Sequence, residues 1–188
     1  MRKLSRAAVS ICLALSLLPL LAHPASAARE VAYRGRTSAP LDNRIHLRVL
    51  KKDDGRRFLN DVEIDLTLTC EDATTEVWSV GVGWGRGGEP IQNDGQFTVR
   101  FDFGQEFFDL EGDIDFGRAT GTFEFVVARL TDDHMDAQIC TTGELTWAAE
   151  RKGSRPARPS ASNVPEGSGF MRLRVSDGVA KVVNLVEP

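Results

Sequence analysis

The sequence has little of what zinc enzymes, nucleic-acid-binding proteins and membrane proteins need. Only three of its 188 residues are histidine and three are cysteine, and no H-E-x-x-H motif occurs, which argues against a zinc enzyme. Acidic residues outnumber basic ones by 27 to 23, so we expect no nucleic-acid partner, because that binding depends on cations that neutralise phosphates. We expect no metal and no other cofactor.

The one long apolar run lies at the N-terminus and has the features of a secretory signal. Three cations precede an apolar stretch over residues 7–22, and Ala-Ser-Ala at residues 25–27 supplies the small residues that signal peptidase requires. This pattern predicts that residues 1–27 are removed and that the chain is secreted or extracytoplasmic. No later run is long enough to span a bilayer, so we expect no membrane contact after cleavage.

Signal removal leaves two cysteines, Cys70 and Cys140. In an exported protein an even pair of this kind is most simply a disulfide. The bond would close a loop of about 70 residues, which stabilises the fold by roughly 4 kcal/mol on the chain-entropy model.

Apolar residues recur at every second position from residue 31 onward, which is the period of β-strands, and little of the chain suggests a helix. Several strands in succession with short links predict an antiparallel meander. Gly117-Arg118 fits a type II′ turn, whose first central residue needs a positive φ. We expect an all-β fold, an antiparallel β-sandwich or partly closed barrel of about 8–10 strands with one disulfide.

Composition divides the mature chain into three parts. Strand-like alternation covers residues 28–151, which we predict to form the β-sandwich domain. Residues 152–169 are rich in Pro, Ser, Gly and Arg without apolar periodicity, as is typical of an exposed linker. Residues 170–188 alternate again around a turn and predict a C-terminal β-hairpin.

The spacing of Cys140 and Trp147 predicts an irregular strand. They are an odd number of residues apart, so in a regular strand they would point to opposite faces. If both lie in the core, one residue is inserted between them. Gly143 is the natural site, because a G1 bulge needs a residue in the left-handed conformation.

Trp78 and Trp84 are the candidate ligand-binding residues. The positions that alternate with this strand's bulky residues are Ser79, Gly81 and Gly83, so one strand face is nearly bare. Such a face suits close approach of another backbone or of a ligand. Aromatic rings on a sheet can stack against sugars, although alternating tryptophans are also an ordinary core pattern.

Acidic residues supply only weak metal candidates, namely the loop residues Asp132, Asp133 and Asp136. Residues 109–115 carry four acids at alternate positions, but these fan out along a solvated strand face and do not converge on a point.

Two motifs lack the context that their chemistry needs, and we assign no catalytic residue. Residues 83–88 match G-x-G-x-x-G, but a turn and a strand follow where nucleotide binding needs a helix. His134 lies beside acids, yet no G-x-S-x-G nucleophile motif occurs.

A series of short motifs runs through residues 31–151: Tyr33-x-Gly35-x-Thr37, a strand ending in Cys70, Gly95-x-Phe97, Leu110-x-Gly112, Ala119-Thr120-Gly121-Thr122-Phe123, Cys140-Thr141-Thr142-Gly143 and Trp147-x-Ala149. The series resembles a group of small exported, disulfide-containing β-proteins of unknown function from high-GC bacteria. The resemblance implies the fold and carries no chemistry.

These observations favour a non-catalytic exported binding or structural module of the cell envelope or the extracellular space, with a glycan or an envelope protein as its partner. One alternative is an extracellular hydrolase that uses carboxylates on a polysaccharide or peptide. Another is a carbohydrate- or cation-binding domain.

Overall fold

The part of the chain that the structure describes contains twelve β-strands and no helix. It therefore contains no helix that is long and apolar enough to cross a membrane. The computed structural model describes residues 28–39, 43–85, 87–104, 106–130, 137–152, 169–176 and 179–186. The strands are β1 (Arg29–Thr37), β2 (Arg44–Lys51), β3 (Arg57–Cys70), β4 (Thr75–Trp84), β5 (Glu89–Ile91), β6 (Gln96–Asp102), β7 (Phe107–Ile114), β8 (Arg118–Leu130), β9 (Ala137–Thr141), β10 (Leu145–Lys152), β11 (Gly169–Ser176) and β12 (Val179–Val186).

All twelve strands belong to one mixed sheet. Ten follow in the order β12, β11, β4, β3, β2, β1, β10, β8, β7, β6, while β5 pairs with β3, and β9 pairs with both β8 and the end of β3. The sheet therefore curls until β9 links β3 to β8, but it is not a closed barrel. The all-β class is confirmed.

The strand count and one pairing differ in detail from the sequence-based expectation. The sheet has twelve strands because β5, of three residues, is too short to show a period, and because the predicted strand with Cys140 and Trp147 is two strands, β9 and β10. The β11 strand pairs in parallel with β4, whereas we expected antiparallel pairing. Only a short hairpin link dictates antiparallel pairing, and a strand that arrives after a long connection can lie either way.

The curled sheet packs its inner face against itself to form the core. The rings of Trp78 on β4 and Phe125 on β8 have centroids 6.5 Å apart, although these strands are not neighbours in the sheet. The predicted alternation on β3 is present, with four apolar side chains fully buried: Val62, Ile64, Leu66 and Leu68. The opposite, outer face of β3 carries its polar residues.

The predicted disulfide is confirmed. Cys70 and Cys140 are bonded and lie directly opposite each other on β3 and β9. The bond therefore fastens the point at which the curled sheet meets itself.

The predicted bulge at Gly143 is also confirmed. The β9 and β10 strands continue along the same edge of β8, but their register against β8 shifts by one residue between them. Gly143 lies at the shift with a φ of +59°, and its amide donates to Thr141 Oγ1 at 2.9 Å. Cys140 and Trp147 consequently both face the core, at 0% and 3% exposure.

The turn between β7 and β8 is not the predicted type II′ turn. Gly117 does not have a positive φ, and three residues, 115–117, separate the two strands. The amide of Asp115 donates to the carbonyl of Arg118 at 2.9 Å and closes this longer loop. The prediction was wrong because it assumed a two-residue connection.

Candidate functional site

The two candidate tryptophans have different environments. Trp78 is 1% exposed, and its Nε1 donates to Glu76 Oε2 at 3.0 Å, so its ring is part of the core and has no face for a ligand. Trp84, at the end of β4, is half-buried, packs partly against the core and lines a surface cavity. Its Nε1 is buried without a hydrogen-bond partner among the described residues. Of these two tryptophans, Trp84 is therefore the one with surface that a ligand can contact.

The nearly bare face of β4 is crossed by Arg172 of β11. Arg172 lies opposite Gly81 in the parallel pairing, and its Nη2 donates to Asp61 Oδ1 of β3 at 3.2 Å. A Cβ added at Gly81 or Gly83 would come within 3.5 Å of the Arg172 guanidinium. An added Cβ would make ordinary van der Waals contact there, so the Arg172 side chain covers the two glycines without requiring them.

A cavity of about 530 Å³ lies on this outer face, where β2, β3, β4 and the C-terminal hairpin meet. We call it the Arg172 groove, and it is lined by Arg48, Asp61, Glu63, Trp84, Arg172 and Arg174. Its volume falls within the range of roughly 300–1,000 Å³ typical of small-molecule sites.

Strand register places these charged side chains in two rows. The first row runs from Arg48 on β2 through Asp61 and Gly83 to Arg174 on β11. The second row runs from His46 on β2 through Glu63 and Gly81 to Arg172. Because neighbouring strands are about 4.8 Å apart, each row spans about 14 Å.

No family model, curated protein or solved structure matches this chain.

Asp61 is held by two guanidinium groups. Its carboxylate lies 3.2 Å from Arg172 and 3.6 Å from Arg48, and Arg48 is also 3.8 Å from Glu30. Burial raises the pKa of Asp61, and the charges of Arg172 and Arg48 oppose that effect. An ion pair of this kind, half-removed from water, orients its members more than it stabilises the fold.

Glu63 is the second carboxyl of the groove, two residues from Asp61 on the same face of β3. Burial raises its pKa, and the nearby carboxylates of Asp65 and Asp61 raise it further. Glu63 makes no hydrogen bond with any residue that the structure describes. This carboxyl is therefore available to a ligand's hydroxyl or amide group.

His46 lies opposite Glu63 and should titrate at low pH. Burial, with the charges of Arg34 and Arg48, lowers its pKa to about 4. The unfolded chain takes up this proton near pH 6.5, so stability that His46 contributes above that pH is lost as the pH falls towards 4. The loss should reach at most about 3 kcal/mol.

We expect the His46 imidazole to show this midpoint near pH 4 in an NMR titration. Burial raises the pKa values of Asp61 and Glu63, so their contribution to stability has the opposite sign over this range. Comparing unfolding free energies of the wild type and His46→Gln from pH 7 to 4 isolates the histidine. A midpoint near 6.5 would show that His46 is solvated.

A second cavity, of about 490 Å³, lies beside β5 but is a weaker candidate. Its two arginines already have partners within the chain. Arg56 donates to Asp54 Oδ2 at 2.7 Å, and Arg57 donates to the carbonyl of Ile114 at 2.8 Å.

The acidic face of β7 has an internal counterion. Arg100 on β6 donates through Nε to Asp109 at 3.0 Å and lies 3.8 Å from Glu111. This pairing accounts for the alternating acids as a solvated strand face, and it gives no sign of a calcium site.

Metal and nucleotide candidates gain no support from the described residues. The one group there with metal-ligand spacing is Cys70, Glu76 and Cys140, but its two sulfurs are bonded to each other. The weak candidates Asp132, Asp133 and Asp136 lie outside the described residues, as does His134. A strand, β5, follows the G-x-G-x-x-G motif where nucleotide binding needs a helix.

Sequence reasoning identified Trp84 and the bare face of β4 but missed the charged groups. The available signal was the alternation of His46 and Arg48 on β2 and of Asp61 and Glu63 on β3. Such alternation also describes any solvated sheet face. Nothing local in the sequence pairs the C-terminal hairpin with β4.

Proposed function

We propose that this protein is a non-catalytic exported binding module whose ligand occupies the Arg172 groove. The observation that carries the proposal is the juxtaposition, in one cavity of about 530 Å³, of Trp84 with guanidinium groups and a hydrogen-bonding carboxyl. A few convergent polar groups beside an aromatic ring are the usual composition of a ligand site.

The state of Asp61 favours binding over hydrolysis. Two-carboxylate hydrolysis needs one group that donates a proton and one that acts as base or nucleophile. Asp61 is engaged by two guanidinium groups, which orient its carboxylate and compete with any reacting group. That leaves Glu63 as the one unengaged carboxyl lining the groove among the described residues.

Export is supported by two features. Residues 1–27 have the composition of a secretory signal, and the Cys70–Cys140 disulfide fits an oxidising compartment. A glycan or protein of the envelope or the extracellular space is then the kind of ligand that the groove would meet.

The test is binding of the fluorescently labelled protein to glycan and peptide arrays. Trp84→Ala should weaken binding at least about tenfold, since the aromatic contact with the ligand is lost. Phe116→Ala is the matched control, because Phe116 is 89% exposed on the loop between β7 and β8, outside the groove. Equal binding by wild type and Trp84→Ala would rule out the groove as the binding site.

An extracellular hydrolase is the second candidate, because two carboxyls with raised pKa values, Asp61 and Glu63, line one cavity. The same arrays, analysed for cleaved products, separate the two functions. Release of products that stops in Glu63→Gln supports the hydrolase, whereas saturable binding without products supports the binding module.

A further inference from the structure

Arg174 is the groove's unengaged cation. It is exposed, lines the Arg172 groove, and makes no ion pair with any residue that the structure describes. Arg172 and Arg48, by contrast, both lie within 4.0 Å of Asp61. The groove thus presents one solvent-exposed guanidinium group that no described carboxylate engages.

The other polar side chains of the groove can form hydrogen bonds with the hydroxyl groups of a ligand. Glu63 accepts hydrogen bonds when ionised and can donate one when protonated. Asn60, beside Asp61, lines the same cavity and offers both an acceptor and donors. Such groups recognise molecules that carry several hydroxyls, and an inorganic anion would leave them unused.

The aromatic residue of the groove, Trp84, suits a ligand that contains a flat, partly apolar ring. Trp84 lines the cavity together with Val183 of β12, which is 54% exposed. A pyranose ring has apolar C–H faces and polar edges, so it fits a site with an aromatic wall and hydrogen-bonding groups around it.

We infer that the ligand is an acidic saccharide, whose carboxylate pairs with Arg174 while its ring contacts Trp84 and its hydroxyls reach Glu63 and Asn60. Guanidinium groups bind carboxylates through two parallel hydrogen bonds, which neither a neutral sugar nor an ester can accept as strongly. This inference rests on the proposed binding function and specifies its ligand.

The experiment uses pairs of probes that differ only in charge. Oligomers of galacturonate, mannuronate and glucuronate are titrated calorimetrically into the purified protein, each as the free acid and as its methyl ester. We expect at least one free acid to bind about tenfold or more tightly than its ester. The preference should disappear in Arg174→Gln and persist in the control Arg100→Gln, whose exposed guanidinium lies on the far edge strand β6.

Three results would overturn the inference. The first is equal affinity for acid and ester, the second is an acid preference that survives Arg174→Gln, and the third is no binding of any uronate. In the first two cases the protein still binds a saccharide, and the effect of Trp84→Ala on that binding decides whether the proposed function stands. In the third case the array experiment decides the proposed function separately, and acidic peptides bound in a Trp84-dependent manner would identify the ligand class instead.

Discussion

Gly35→Ala is expected to lower the free energy of unfolding by about 3 kcal/mol or more. The Cβ of alanine at this position would lie 1.8 Å from the carbonyl oxygen of Ala148 and 2.4 Å from the Cα of Ala149. Both are backbone atoms of the paired strand β10, so no side-chain rotation can make room. The strands β1 and β10 would have to separate, and a urea titration followed by tryptophan fluorescence measures the loss.

Gly117→Ala is the matched control for this prediction. Gly117 has no atom within 4 Å of an added Cβ, and its φ is one that alanine adopts readily. We expect its stability to stay within about 0.5 kcal/mol of the wild type. If Gly35→Ala behaved like Gly117→Ala, the close approach of β1 and β10 would be refuted.

Removing the disulfide should cost a similar amount for a different reason. In the double variant Cys70→Ala, Cys140→Ala, the unfolded chain regains the freedom of a loop that spans 70 residues. On the chain-entropy model this lowers the free energy of unfolding by roughly 4 kcal/mol. Both sites are buried in the core, so small cavities add to the loss.

Dithiothreitol provides the control for the disulfide. The wild type should lose stability on reduction and approach the double variant, whereas the double variant should not respond to the reductant. A double variant as stable as the oxidised wild type would show that the bond contributes nothing to the fold.

The β-strands and their inner faces followed from the sequence because both depend on local periodicity. Alternation alone specified the buried residues of β3, and the odd separation of Cys140 from Trp147 required one inserted residue. Both inferences depend only on whether the separation of two residues along a strand is odd or even. That separation does not change with the way in which distant strands pair.

In the structure, glycines of the motif series in residues 31–151 lie where strands or side chains pack closely. An added Cβ at Gly35 or Gly121 would meet a strand backbone at under 2 Å, and one at Gly112 would meet the Trp147 ring at 2.5 Å. The sequence showed these glycines but gave no sign of what approaches them. At Gly35 and Gly121 the close approach is made by the paired neighbouring strand, so it depends on strand pairing and register.

The Arg172 groove was beyond sequence reasoning because it depends on a long-range pairing. Alternating residues predict β11 as a strand but not its partner or direction. Only the parallel pairing with β4 brings Arg172 above Gly81 and within reach of Asp61. Trp84 was identifiable because the bare strand face beside it is a local feature.

The contact between Arg172 and Asp61 joins residues that are 111 positions apart in the chain. Because β11 and β12 follow the other ten strands along the chain, they are synthesised last. A chain that stops before β11 would carry Arg48, Asp61 and Glu63 but would lack Arg172 and Arg174, which complete the Arg172 groove. The groove therefore depends on pairing of the C-terminal hairpin with β4, whereas the disulfide joins two strands that precede that hairpin.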